Sequence, residues 1–264
     1  MLDLAIRAAR EAGQVLAEYY ERPHRINIKG LRDILTEADL AAEAVALRLI
    51  REGCPEALFL SEESHQAWQE DPARPIWCVD PLDGTTNFAH GLPGFSVSVA
   101  MALGGTVQCG AVYDPLLNQL FYAERGQGAY LNGRRLHVSP CTALNASLVL
   151  LDWPRAPEPR ALAAGFLARL APQVDAIRSR GSAALGFCSV AAGWAEAYFQ
   201  YTLGPWDVAA GWLLVEEAGG QVSDLSGRSG HLNRGDWLAS NGHIHQAFLA
   251  LHPWQGAAEG SVPQ

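Results

Sequence analysis

Two aspartates stand three residues apart at the end of an apolar run: Ile76-Trp77-Cys78-Val79 leads into Asp80-Pro81-Leu82-Asp83, and Gly84-Thr85-Thr86-Asn87-Phe88 follows. Sheets of the α/β kind commonly place ligands at the carboxyl ends of their strands. Asp80 and Asp83 can converge on one point there, with Pro81 stiffening the chain between them and the Leu82 carbonyl available as a neutral oxygen ligand. All-oxygen ligation favours Mg²⁺ or another hard cation over zinc. Gly84-Thr85-Thr86 adds closely spaced backbone N–H groups and hydroxyls, suited to cradling a phosphate at a turn or helix start. An isolated Asp-Gly is ordinarily just a turn, but one turn does not require two acids, a proline and two threonines.

Two further acidic segments gain meaning only beside the first. Ala57-Leu58-Phe59-Leu60 runs into Ser61-Glu62-Glu63-Ser64, whose glutamates alone read as solvated loop charges. Gly204-Pro205-Trp206-Asp207 opens an apolar stretch reaching Gly220, and Asp207 by itself is an ordinary first-turn acid. His243-Ile244-His245 has no companion acid at zinc-motif spacing and reads as a surface pair. Trp77 and Trp212 are expected in the core, whereas Trp68, Trp153 and Trp254 sit in polar or proline-containing contexts suited to an interface.

These residues need elements to position them. Residues 2–21 show helical periodicity through Leu2, Ile6, Ala9, Ala12, Val15, Leu16 and Tyr19, and Pro23 stops that helix. A second helix is predicted over about 36–51, with Thr36 as N-cap ahead of Glu37 and Asp39. Residues 24–33 between them read as a mobile loop. Short apolar runs follow at 57–61, 76–80, 95–103, 106–113, 119–124 and 128–131, with Gly104-Gly105 and Asn132-Gly133 as hairpin signals. After about 145 the chain alternates strands near 147–151, 175–179, 220–223 and 237–240 with helices near 158–171, 183–193, 206–218 and 243–251.

At 264 residues the chain suits one large unit or two modest lobes, against a prior of ~150 residues per domain. Hydrophobic residues at 49% and charged residues at 18% exclude the disordered and collagen-like classes. A net charge of −9 with no run of Lys and Arg argues against gripping nucleic acid or an anionic membrane through general basicity. Five scattered cysteines without a CxxC suggest buried thiols in a reducing compartment. Neither a signal-peptide stretch nor a run approaching the ~20 apolar residues of a membrane span is present. The expected setting is cytoplasmic, with no membrane and no direct nucleic-acid partner.

Taken together, the motifs resemble the inositol monophosphatase family within the lithium-sensitive, magnesium-dependent phosphatase superfamily. Asp80 to Phe88 is similar to its metal motif, Ser61 to Ser64 to its first acidic motif, and Trp206 to Gly220 to its carboxy-terminal signature. Asp33-Ile34-Leu35-Thr36-Glu37-Ala38-Asp39 and Arg180-Gly181-Ser182-Ala183-Ala184 also fit, in the family's order. The resemblance implies a mixed α/β fold, a layered αβαβα sandwich of the inositol monophosphatase and fructose-1,6-bisphosphatase type. It implies a single compact catalytic domain over 1–264, with lobes of about 1–142 and 143–254, a site between them and a flexible tail at 255–264.

For the site, the resemblance implies that Glu62, Asp80, the Leu82 carbonyl, Asp83 and Asp207 hold two or three Mg²⁺, with Asp80 bridging two. Electrostatics agrees independently, since four gathered carboxylates repel one another unless protons or cations intervene. The implied reaction is hydrolysis of a small phosphate monoester by water, activated by ions ~3.5–4 Å apart. Thr85 and Glu62 would orient and deprotonate the water, and Asp39 would accept a hydrogen bond from Thr85. Substrate would meet Asp83, the amides of Gly84 and Thr85, Ser182, Ala183, Gln200 and Asp207, and a water near Asp207 would protonate the leaving oxygen. Lithium sensitivity and a homodimer come with the same resemblance.

One position departs from the pattern. The family usually carries a glutamate seven residues before its final metal aspartate, and here that residue is Gln200. An amide oxygen still accepts from a hydroxyl but carries no charge, so substrate preference shifts while catalysis survives, with ~10–150-fold in discrimination involved. Inositol 1-phosphate or a related polyol or sugar phosphate is the expected substrate. Histidinol phosphate, fructose 1,6-bisphosphate and 3′-phosphoadenosine 5′-phosphate are alternatives, the nucleotide disfavoured because no added basic cluster is visible. The alternative from another class is a regulatory protein that binds the transcription machinery. Lys29 and Arg32, in Lys29-Gly30-Leu31-Arg32-Asp33, resemble the family's basic active-site loop.

Overall fold

The chain, in a computed structural model describing residues 1–20, 22, 26–64, 73–229, 232 and 235–252, begins with α1 (Leu2–Tyr20), β1 (Ile26–Gly30), β2 (Asp33–Thr36) and α2 (Glu37–Gly53). It continues through β3 (Leu58–Ser61), β4 (Ile76–Asp83), α3 (Thr85–Ala89), β5 (Ser96–Leu103), β6 (Thr106–Asp114), β7 (Gln119–Glu124), β8 (Gly128–Leu131) and β9 (Arg134–Arg135). The second half holds β10 (Leu148–Leu151), α4 (Pro157–Leu170), β11 (Ala176–Arg178), α5 (Ala183–Ala191), β12 (Ala197–Gln200), α6 (Pro205–Glu217), β13 (Gln221–Ser223), β14 (Trp237–Ser240) and α7 (His245–Leu251). The expectations for Pro23, Trp68, Trp254 and the tail at 255–264 lie outside the described residues.

Side-chain alternation along the strands stacks the layers. In β5, Val97, Val99 and Met101 face one core with α1 and α2, while Ala100 and Ala102 face a second core with α5 and α6. This sheet runs β3-β4-β5-β6-β7-β8-β9, antiparallel except for the β3–β4 pair. The other sheet runs β11-β10-β12-β14-β13, and its Tyr198 joins the same α5/α6 core from the opposite side. Val149 and Phe199, one residue out of phase with that face, join Phe166 of α4 and Phe248 of α7 in a third core. Each of these buried phenylalanines contributes about 1.5–3 kcal/mol. The result is a mixed α/β fold with the layers helix, sheet, helix, sheet, helix.

Small residues set the spacing between layers. α1 packs through Ala5, Ala8, Ala9 and Ala12, all buried. On the other face of the same sheet a Cβ added at Gly110 would lie 2.9 Å from the Ala210 Cα, so α6 approaches the sheet as closely as glycine permits.

Several elements differ from the sequence expectation. Residues 26–36 form an antiparallel hairpin, β1 with β2, where a loop was predicted; every residue of β1 is exposed, so burial imposed no alternation on its sequence. β12 was not anticipated either, because all four of its residues are buried and the alternation is hidden. His245 is not on the surface: its ring is buried between two serines. Trp77 is fully buried, whereas Trp212 is half-buried and its Nε1 donates to Glu216 at 2.6 Å. All five cysteines are free, and Cys141 is half-buried where the others are buried. No helix among the described residues is long and apolar enough to cross a membrane.

Candidate active site

In a regular strand, residues three apart point to opposite faces, so the spacing of Asp80 and Asp83 would separate them. β4 avoids this with a bulge. Asp80 pairs with Ser98 and Asp83 with Ser96, three steps along β4 against two along β5, and the extra residue returns Asp83 to the face of Asp80. Pro81 lies inside the bulge, where a missing N–H costs no ladder bond. Leu82 is buried in the α1/α2 core and anchors the turn from behind.

The face shared by the two aspartates meets the starts of α5 and α6. Asp83 accepts from Ser182 Oγ at 2.5 Å, the Ala183 amide at 3.1 Å and the Ala184 amide at 2.7 Å. Asp207 stands in the first turn of α6, behind Pro205, and accepts from the Gly204 amide at 2.6 Å. Carboxylate oxygens of Asp80, Asp83 and Asp207 lie within 4.8 Å of one another. Burial raises all three pKa values, and mutual repulsion raises them further for Asp80 and Asp207, with Glu62 adding its charge to both. A dry, oxygen-only set of carboxylates whose ionised forms repel one another fits a hard divalent cation, which supplies the positive charge that protons otherwise would.

Glu62 follows β3, whose parallel pairing with β4 sets Ser61 abreast of Val79 and so brings Glu62 beside Asp80. Its Oε1 also meets cations, Arg155 Nη2 at 3.5 Å and Lys29 Nζ at 3.7 Å. Lys29 donates to Glu63 at 2.8 Å, and burial pushes the Glu63 carboxyl up to about 7. Asp39 belongs to the capping box of α2, accepting from the Thr36 amide at 2.8 Å, and burial raises its pKa. Thr85 Oγ1 lies 3.2 Å from Asp39 Oδ1 and 3.0 Å from the Leu82 carbonyl, so its single proton faces acceptors on both sides. Gly84 precedes α3 at φ 101, and a Cβ there would come within 3.0 Å of the Gly94 carbonyl.

A cleft of ≈ 960 Å³ opens over this cluster, lined on the reaction side by Glu62, Asp83, Gly84, Thr85 and Asp207. Gln200 and Ala183 line it too, but Ser182 does not: it is fully buried, and its Oγ caps α5 by accepting from the Leu185 amide. The cleft also corrects the reading that no basic cluster exists. Lys29, Arg32, Arg155 and Arg160 all line it. Arg32 donates to the Arg155 carbonyl at 3.0 Å, Arg155 pairs with Asp33 at 3.1 Å, and Arg160 lies 5.2 Å over the Trp153 ring. Distant in sequence, these cations left no run to read. Asp152-Trp153-Pro154-Arg155, which follows the strand expected at 147–151, is the local sequence signal for this wall of the cleft.

Comparison with known proteins gives consistent matches. The model of the "Inositol monophosphatase family" matches residues 1–256. "Nus factor SuhB" of Escherichia coli is 42% identical over 253 residues, covering 95% of this chain and 94% of its own. The crystal structure of extragenic suppressor protein suhB from Bartonella henselae superposes with a TM-score of 0.90 at 35% identity, covering 96% of this chain and 98% of its own. Inositol monophosphatase from Anabaena superposes with a TM-score of 0.83 at 36% identity, covering 95% and 94%.

Proposed function

The chain belongs to the inositol monophosphatase family, and on that premise we propose that it is a magnesium-dependent phosphomonoesterase acting on inositol 1-phosphate or a related small polyol or sugar phosphate. The observation that carries this reading is the buried carboxylate cluster at the base of a cleft, beside the start of α3. Asp80, Asp83 and Asp207 would hold the metal, with Glu62 and the Leu82 carbonyl at its edge. Bound magnesium supplies positive charge against the carboxylates and the phosphate and makes water more acidic.

The chain's own residues do the rest. The Thr85 hydroxyl, its proton committed to Asp39 or the Leu82 carbonyl, offers its lone pairs to orient the attacking water. Glu62 takes the water's proton, and Lys29 and Arg155 hold its carboxylate at the cleft wall. The first-turn amides of α3 have no partner within the helix and face the phosphate oxygens. Water beside Asp207 returns a proton to the leaving oxygen, and Gln200 and Ala183 contact the leaving group. A cytoplasmic homodimer inhibited by lithium completes this reading.

The test is phosphate release with Mg²⁺, with and without EDTA, from inositol 1-phosphate, histidinol phosphate, fructose 1,6-bisphosphate and 3′-phosphoadenosine 5′-phosphate. Metal-dependent release with one clear favourite supports the reading, and no release from any of them removes it.

A second reading is favoured by one observation, the name "Nus factor" borne by relatives 42% identical to this chain. It is a regulatory protein that joins the transcription machinery, and the expectation of no nucleic-acid contact is set aside for it. Pull-down with Asp83→Asn, before and after nuclease treatment, tests it: partners retained by the variant support a role separate from hydrolysis.

A further inference from the structure

β10 and β12 run parallel, with Leu150 abreast of Tyr198 and Leu151 abreast of Phe199. Asp152 and Gln200 each follow the last of these pairs by one residue. Leu150 and Tyr198 face the α5/α6 core, so alternation turns Asp152 and Gln200 to the same side, and both line the cleft. Asp152 is fixed there: its Oδ1 accepts from Ser179 Oγ at 2.7 Å and from the Gly181 amide at 2.6 Å.

The other half of the pair is unsatisfied. Asp152 is 8% exposed and Gln200 7%, and among the described residues neither Asp152 Oδ2 nor Gln200 Oε1 has a hydrogen-bond partner. The Tyr198 hydroxyl approaches Asp152 and stabilises its carboxylate without meeting full hydrogen-bond geometry; a carboxylate oxygen has two lone pairs, so Oδ2 keeps one for a ligand. Buried acceptors in native proteins are satisfied with few exceptions. Two such acceptors lining one cleft mark where a ligand's donors arrive.

We propose that Asp152 is a specificity-determining residue of this cleft, supplying beside Gln200 the negative charge that the amide at position 200 does not carry. The leaving group it selects presents hydrogen-bond donors, from the hydroxyls of a polyol or the ammonium of an amino alcohol. A charged acceptor makes a bond about twice as strong as a neutral one, so moving the carboxylate from one strand to its neighbour keeps the recognition while changing where the donor must sit. This inference rests on the phosphatase reading.

The experiment compares kcat/KM of the wild type, Asp152→Asn and Asp152→Asn/Gln200→Glu, with Mg²⁺, on inositol 1-phosphate, histidinol phosphate and 4-nitrophenyl phosphate, whose leaving group has no donor beyond the ester oxygen. Asp152→Asn is expected to lower kcat/KM for a donor-bearing substrate by about ten-fold or more relative to 4-nitrophenyl phosphate, chiefly through KM, and the double variant to regain most of that loss. A larger loss on histidinol phosphate identifies ammonium as the donor, and a larger loss on inositol 1-phosphate identifies hydroxyl. An equal fall on all three, or a double variant no better than the single, overturns the proposal and leaves Asp152 holding only Ser179 and Gly181. A wild type that releases phosphate from none of the three removes the phosphatase reading and this inference together.

Discussion

Two groups of buried polar side chains lie on either side of the middle helices, and they are built on opposite principles. In the C-terminal sheet, His245 sits between Ser223 Oγ at 2.9 Å and Ser240 Oγ at 2.7 Å, and His252 meets the Tyr201 hydroxyl at 2.7 Å. Burial lowers both histidine pKa values to about 4, and both ring nitrogens of His245 and the Nε2 of His252 are paired. Under the N-terminal sheet, Asp80, Asp83 and Asp207 crowd together with their pKa values raised. The first group is complete within the chain and stabilises it. The second is short of positive charge, which costs stability and makes the site receptive to a cation.

The largest test of that contrast is Asp80→Asn. Phosphate release is expected to fall by ~100-fold or more, while the metal-free protein gains about 1–3 kcal/mol because one carboxyl no longer has to take up a proton or bury a charge. Urea melts in EDTA would show it, and a destabilised variant would break the comparison. His245→Ala should do the reverse, losing about 2–4 kcal/mol by orphaning Ser223 and Ser240 and opening a cavity. Its turnover per folded molecule should hold, as measured by activity against the folded fraction.

A smaller effect lies in the pH dependence of metal-free stability. For the histidines, whose folded pKa values are lowered, stability is full above about 6.5 and is lost as pH falls toward about 4. For raised carboxyls the sign reverses: the Glu63 contribution is full below 4.5 and is lost as pH rises toward about 7. Thermal melts from pH 4 to 8 should therefore peak in between, and Mg²⁺ should raise the midpoint most at the alkaline end; a Mg²⁺ shift that ignores pH would count against the carboxylate cluster as its site. The smallest effect is Arg48→Ala, which breaks a solvated ion pair with Glu52 on α2 and should change stability by no more than about 0.5 kcal/mol.

Much of the candidate site was legible because its signals are local. Asp80, Asp83, Gly84 and Thr85 occupy one short segment, and the capping of α2 by Thr36 and Asp39 is written in neighbouring residues. Ser182 shows the limit of local reading: a serine before a helix reads equally as a ligand contact or a cap, and here its Oγ caps the start of α5. β1 and β12 escaped for opposite reasons, one exposed throughout and the other buried throughout, so neither displays the alternation that reveals a half-buried strand.

What the sequence determined by itself was the chemistry of its motifs and the type of most elements, since periodicity, capping and turn residues act over a few positions. The tertiary structure decided which side chains meet. A bulge against β5 turned Asp83 onto the face of Asp80, the docking of α6 brought Asp207 to them, and the cleft gathered Lys29, Arg32, Arg155 and Arg160 from distant segments. The pairing of β10 with β12, through Leu151 and Phe199, carried Asp152 and Gln200 into the same cleft. Strand register and helix docking are fixed by packing between remote parts of the chain, and a one-residue shift reverses the face on which every side chain lies.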